Sequence, residues 1–377
     1  MADKKRVIML LTNAFEPDVR VYKEASYLIS KGFSVTILCW DKDLSKNYPE
    51  EETVEGIQIV RFKIPSVAGT GNQQIPAFLK YIRACKQYLQ KQKCDYLHCN
   101  DLDGVITGYL ARHGKTPLVF DMHEFYSSSR ALKNMLLRNA TIFFLKKSKA
   151  GLYENAAYLE APYKSVHKKL YPLRNYPDKG MVEPRPKSES KKFRVAYNGV
   201  VRTQIPEFTA LFEAAKQLPG VRIDINGGGI ALAKLKELEA SYKNFADVHV
   251  NGPYDGTTES SGLYEKTDAL FCGYSPDDPN YKGDAEVIKY YEAIYTGTPM
   301  IMTESTGMAQ KIVNNGYGVI CDTRDSKAIR KAIEKLMNDH TFWKTCSENE
   351  LADAYKYDWA EAVKILDQIY INDGERI

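Results

Sequence analysis

Short apolar runs alternate with segments of helical period along nearly the whole chain, and that alternation limits the folds open to it more than any other feature. Val7–Leu11 is an apolar run too short for a helix. After a polar turn, Asp18 stands where it can cap a helix whose apolar positions Val21, Ala25, Leu28 and Ile29 keep the helical spacing. Gly32 closes that helix, and Phe33–Leu38 reads as the next strand. A strand–helix–strand unit of this kind implies parallel strands joined by a right-handed crossover. Further strands read at Gly56–Phe62, Tyr96–Cys99 and Pro117–Phe120, with helices at Ala77–Lys91 and Leu102–Ala111 and a Gly/Gln-rich loop at 65–74.

The pattern breaks over 178–192, a run rich in Pro and charge that reads as a linker, and then restarts. Strands follow at Phe193–Tyr197, Val221–Asn226, Val248–Val250, Ala269–Cys272, Pro299–Met302 and Gly318–Cys321, interleaved with helices. At 377 residues the chain exceeds what one core holds. The expected class is α/β, with two doubly wound Rossmann-like domains over 1–177 and 193–355, and terminal helices over 356–377.

Composition excludes several classes. No apolar run reaches the length of a membrane span, and the apolar run after Met1–Arg6 is too short for a signal peptide, so a cytoplasmic protein is expected. Seven cysteines without C-x-x-C spacing read as free thiols, with no zinc site. The net charge of +4 is uneven. Residues 130–174 hold ten Lys and Arg against Glu154 and Glu160, which reads either as a solvated basic face or as attraction to an anionic membrane surface or acidic acceptor. No nucleic-acid motif accompanies it. Neither half carries the G-x-G-x-x-G of a nicotinamide or flavin fold, nor a Walker loop.

The candidate site gathers where strands end. On a helix beginning near Glu286 and ending at Gly297, Lys289 and Glu292 are three apart and share a face. The helix start offers unpaired amides and partial positive charge, which suit a phosphate, and Lys289 adds a full charge. Glu292, one turn deeper, can accept hydrogen bonds from ribose hydroxyls. The plain alternative is a surface ion pair. Gly199 permits close approach of a ligand after the strand at 193, Arg202 can hold a diphosphate with two prongs, and Gly227-Gly228-Gly229 is either a phosphate-side turn or a simple one. In the first half, Asp121-Met-His-Glu124 ends a strand. His123 there can donate to a sugar or phosphate, shift a proton, or serve structure alone. Asp101 and Asp103 read as helix caps rather than metal ligands.

Assembled, these residues resemble the family-four retaining glycosyltransferases of the GT-B fold. The resemblance rests on Asp18-Val-Arg-Val21 with Gly32-Phe-Ser-Val35, on Asp121-Met-His-Glu124, on Asn175-Tyr-Pro177, and on Ile288-Lys-Tyr-Tyr-Glu-Ala with Gly297-Thr-Pro-Met-Ile301. It implies two domains facing each other across a cleft, a terminal helix crossing back to the first domain, and transfer of a sugar from a nucleoside diphosphate donor to a sugar or lipid-linked acceptor. No cofactor or metal is implied. Under it Glu292 binds the ribose. Arg202 and Lys289 bind the diphosphate, helped by backbone amides at Val287 and Ile288. Gly199 and Gly228 lie on the donor side, Asn13 and Asp18 on the acceptor side, and His123 beside the transferred sugar. The family's first glutamate is Asp284 here, a shorter carboxylate that Glu286 can replace, and Thr203-Gln-Ile-Pro206 stands where Lys-Gly usually follows the Arg. A sugar-nucleotide epimerase and a non-catalytic sugar-binding protein are the competing readings.

Overall fold

The structure, a computed structural model, describes residues 4–15, 18–67, 71–123, 126, 131–154, 156–160, 162–177, 182–188, 190–256, 258–275 and 287–372. Asp284, Glu286 and Glu124 lie outside the described residues, as does part of the 65–74 loop. The chain divides into two compact units, one of residues 1–174 with 362–377, the other of residues 175–361.

The first unit is built on β1 (Arg6–Leu11), β2 (Ser34–Asp41), β3 (Glu51–Val54), β4 (Ile57–Lys63), β5 (Tyr96–Asn100), β6 (Leu118–Met122), β7 (Ala150–Tyr153) and β8 (Leu170–Pro172). They lie in the order β3-β4-β2-β1-β5-β6-β7-β8. Only the hairpin partner β3 is antiparallel. Met9 of β1 pairs with Ile37 on one side and His98 on the other. The central strands are buried on both faces, as helix-covered parallel strands must be. Tyr81, wholly buried, stacks on Trp40 and donates its hydroxyl proton to the Leu38 carbonyl at 2.9 Å. Within this unit the terminal helix Ile365–Tyr370 sets the Tyr370 ring edge-on to Tyr96 and Phe33.

The second unit carries β9 (Phe193–Asn198), β10 (Val221–Asn226), β11 (Val248–Gly252), β12 (Ala269–Cys272), β13 (Met300–Thr303) and β14 (Gly318–Cys321). All pair in parallel, in the order β11-β10-β9-β12-β13-β14. The strand order reverses between β9 and β12. In open α/β sheets the crevice beyond the carboxyl ends at such a reversal is where ligands bind.

The sequence reading did not anticipate β3, β7 or β8. Glu-Glu-Thr-Val in β3 is an exposed edge without an apolar face, and β7 and β8 are only four and three residues long. Residues 182–188 pack within the second unit. Val182 is buried, and Lys187 Nζ donates to the Tyr264 carbonyl at 3.0 Å and to Thr298 Oγ1 at 2.6 Å.

Candidate active site

The helix Ile288–Thr296 follows β12 and leads into β13. Gly297 ends it in the left-handed region (φ +57°), where its amide and that of Thr298 take up the last carbonyls. A β-carbon there would sit 2.6 Å from Ser347 Oγ and 2.8 Å from Leu351 Cγ, so the tight approach of the helix His340–Asp353 also requires glycine. The helix is buried from Lys289 through Thr296. Lys289 and Glu292 are therefore not a solvated surface pair: they keep only 9% and 8% of their surface. No ion pair joins them.

The Lys289 ammonium lies 3.4 Å from the centre of the Tyr197 ring and 5.7 Å from that of Tyr274. These rings stand at the carboxyl ends of β9 and β12, on the two sides of the strand-order reversal. Among the described residues no oxygen accepts a hydrogen bond from Nζ. Burial lowers its pKa to about 8, against Cys272 and Glu292, which favour the charge. Val287 precedes the helix in extended conformation, and no side chain caps the first turn. Ile288 is half-exposed.

Backbone builds the opposite wall. Gly199 follows β9 at φ +142°, and a β-carbon there would lie 2.8 Å from Lys289 Nζ. Gly227 follows β10 at φ +152°, and its β-carbon would fall 1.8 Å from the Gly199 carbonyl oxygen. Gly227 admits no side chain because the two loops touch there through their backbones, while at Gly199 the positive φ disfavours any other residue and a β-carbon would crowd the Lys289 ammonium. The Gly199 amide donates to the Asn226 carbonyl and the Val201 amide to the Gly228 carbonyl, both at 2.8 Å. Gly227-Gly228-Gly229 is thus part of a backbone lattice rather than an isolated turn. Arg202 is exposed, and its amide, with that of Thr203, donates to buried Gln204. Glu292 Oε2 accepts the Tyr264 hydroxyl proton at 2.9 Å. Burial raises the Glu292 pKa, opposed by that hydrogen bond and by Lys289.

In the first unit the structure shows a buried charge network that sequence reasoning missed. Arg20 binds Asp121 with two prongs, Nε to Oδ2 at 2.8 Å and Nη2 to Oδ1 at 2.6 Å. It also lies 3.1 Å from Glu24 Oε1. His98 Nε2 sits 2.9 Å from Glu24 Oε2, and its Nδ1 meets the Tyr370 hydroxyl at 2.7 Å. His123 Nε2 lies 2.8 Å from Asp121 Oδ2. Burial disfavours charge on both histidines, but the carboxylates win, led by Glu24 for His98 and Asp121 for His123; the values rise to about 9 and about 10. Asp121 is held well below the usual carboxylate range against its own burial, by Arg20 and His123. The Asp121 carboxylate thus favours the charged form of His123, which in that form can donate from its ring nitrogens.

A signal for Glu24 existed in the sequence. It falls on the same helix face as Val21, Ala25 and Leu28, where a carboxylate needs a buried partner. Glu24, His98 and Asp121 bring potential ligand atoms within 4.8 Å of one another. The Arg20 guanidinium already binds two of them, so a metal cation there meets like charge. Asp18 caps its helix as expected, accepting from the Val21 amide at 3.3 Å, and Asn13 Nδ2 donates to Asp18 at 3.3 Å. The capping expected of Asp101 and Asp103 is absent: no side chain caps the helix Asp101–Ala111. Asp101 adopts φ +62° and accepts instead from the His123 amide and the Tyr126 hydroxyl.

Comparison with known proteins agrees with this architecture. Residues 185–353 match the family Glycosyl transferases group 1, and residues 17–155 match the Glycosyl transferase 4-like domain. The capsular polysaccharide biosynthesis glycosyltransferase CapM of Staphylococcus aureus is 28% identical over 114 residues, 25% of this chain and 30% of that protein. Matches to plant sucrose-phosphate synthases span only 7 to 8% of those proteins. Among solved structures, a sucrose-phosphate synthase from Thermosynechococcus elongatus superposes with a TM-score of 0.79 at 16% identity, covering 98% of this chain and 99% of that one. Anabaena HepE in complex with UDP-glucose superposes at 0.68 and 16% identity, covering 96% and 99%. With both sheets and both domain matches in place, the chain belongs to the GT-B glycosyltransferases, joining a 4-like domain to a group 1 domain.

Proposed function

We propose that the protein transfers a sugar from a nucleoside diphosphate donor to an acceptor hydroxyl with retention at the anomeric carbon, the acceptor being a glycolipid or polysaccharide precursor. The observation that carries the reading is Lys289: a buried ammonium, without an oxygen acceptor among the described residues, at the carboxyl-end crevice of the second sheet. A pyrophosphate supplies the missing partner. Lys289, Arg202 and the amides at Val287 and Ile288 stabilise the charge that develops on the leaving diphosphate, without a metal ion. Gly199 and Gly228 let the donor approach backbone, and Glu292 takes the ribose. By resemblance to the family, His123 of the first unit is assigned to the transferred sugar and Asn13 and Asp18 to the acceptor. Asp284, or Glu286 in its place, is assigned to the transferred sugar. Sucrose-phosphate synthases and CapM, similar proteins that act on sugars, and the UDP-glucose held by HepE support this donor class.

The test is product analysis with a panel of nucleotide sugars, with and without sugar and lipid-linked acceptors. The reading expects acceptor-dependent release of nucleoside diphosphate and, by NMR, a product of unchanged anomeric configuration. A new sugar nucleotide formed from donor alone points to an epimerase. Tight binding without turnover points to a sugar-binding protein.

A second observation favours membrane attachment at the cytoplasmic face. On the helix Ala131–Lys147, Leu132, Met135, Leu136 and Phe143 are exposed along one stripe among basic residues that include Lys133, Lys146 and Lys147. No helix among the described residues is long and apolar enough to cross a membrane. Pelleting with anionic but not neutral liposomes, weakened by Leu136→Glu, supports surface attachment; equal pelleting with both rejects it.

A further inference from the structure

The carboxylate of Glu292 is built into a closed ring of hydrogen bonds. Tyr264, on the helix Ser260–Glu265 and 1% exposed, gives its hydroxyl proton to Oε2 at 2.9 Å. Oε1 has no partner among the described residues. Tyr264 is itself seated by Lys187, whose Nζ binds its carbonyl at 3.0 Å and Thr298 Oγ1 at 2.6 Å. The Thr298 and Thr296 hydroxyls meet at 2.8 Å, and Thr296 donates to the Glu292 carbonyl at 2.8 Å. The sense of donation is fixed. Thr296 gives its proton to Glu292 and Thr298 receives one from Lys187, so Thr298 donates to Thr296. The ring runs from the carboxylate of Glu292 through Tyr264, Lys187 and two threonines back to its own carbonyl.

We propose that Tyr264 is a positioning residue for nucleotide selection: it occupies one oxygen of Glu292 and sets the other toward the ribose hydroxyls of the donor. The inference rests on the reading of Glu292 as the ribose acceptor given above. A carboxylate turns freely about its last torsion, where the rotamer wells are broad, so an unpinned Glu292 has no preferred oxygen to offer. The hydroxyl donor also favours the charged carboxylate against its burial, and the charged form accepts more strongly from ribose hydroxyls. The selection is for ribose over a sugar lacking its 2′ and 3′ hydroxyls.

Isothermal titration tests this with UDP, ADP and GDP, using whichever binds the wild type most tightly, and with its 2′,3′-dideoxy form. Wild type, Tyr264→Phe and Glu292→Gln are compared, with apo melting temperatures as a check on folding. Tyr264→Phe is expected to weaken the ribonucleotide by about tenfold, the size of one hydrogen bond to a charged group, and to leave the dideoxy form within about twofold. The ribose-to-dideoxy ratio belongs to the folded molecules alone, so partial misfolding does not blur it. If the ratio collapses in Glu292→Gln but is unchanged in Tyr264→Phe, or if Tyr264→Phe weakens both nucleotides equally, the positioning role is overturned and the ribose role of Glu292 stands. An unchanged ratio in Glu292→Gln overturns the ribose role and this inference with it.

Discussion

If Lys289 holds the donor's diphosphate as proposed, its depressed pKa makes donor binding pH-dependent with a definite sign. In the free protein burial holds the ammonium at about 8 rather than 10.5. A diphosphate beside Nζ favours the charged form and returns the pKa toward or above its ordinary value. The complex then binds more protons than the free protein, so affinity falls as pH rises through 8. If only the protonated lysine binds, the protonated fraction falls about tenfold between pH 7 and pH 9, and affinity falls with it; full recovery of the pKa corresponds to a ceiling of roughly 300-fold. Nucleoside diphosphate titrated by calorimetry at pH 8, in two buffers of different ionisation enthalpy, should show uptake of about half a proton. Lys187 also has a pKa near 8 but binds Tyr264 and Thr298, not the ligand, so its protons cancel between the free and bound states. Lys289→Met should bind more weakly at pH 7 and lose the slope. Affinity that is level from pH 7 to 9 in the wild type, or a slope that survives in Lys289→Met, refutes the reasoning.

Three further outcomes follow from the geometry. Arg20→Met leaves Asp121 and Glu24 buried without their cation and should cost about 3–5 kcal/mol in urea unfolding, whereas a loss below about 1 kcal/mol shows the network to be inessential. Because the His98 pKa is raised to about 9 from 6.5, its stabilising contribution is complete below about pH 6.5 and lost as pH rises through 9; melting temperature should fall over that window more in the wild type than in His98→Gln, and parallel curves contradict this. Gly227→Ala drives a carbon into the Gly199 carbonyl and should cost roughly 2–4 kcal/mol together with nucleotide affinity, while Gly220→Ala, with open space around it, should change neither.

What the sequence revealed and what it hid have physical reasons. Central parallel strands such as β1, β2 and β9 are apolar on both faces, and that stretch of residues announces them. Edge strands such as β3 have no buried face to announce, and they went unread. The Lys289–Glu292 pair was legible because helical spacing is fixed by geometry. Its burial was not, since it depends on Tyr197, Tyr264 and Tyr274 arriving from strands and helices distant in sequence. Tyr264 itself carries no local signal: nothing in Ser-Ser-Gly-Leu-Tyr-Glu marks a hydroxyl aimed at a carboxylate on another helix. Arg20, Glu24 and His98 sit inside apolar stretches, where each alone looks like noise and only pairing across strands shows a network. Asp101 was misread because capping assumes an extended residue before the helix, and here the aspartate is left-handed.

The proposed function requires the amino end of the Ile288–Thr296 helix to hold the donor's pyrophosphate. A crystal structure of the protein with an intact nucleotide sugar tests that most directly. It should show phosphate oxygens within hydrogen-bonding distance of Lys289 Nζ and of the first amides of that helix, and a ribose hydroxyl on Glu292 Oε1. A nucleotide bound elsewhere, with Lys289 still facing only aromatic rings, contradicts it.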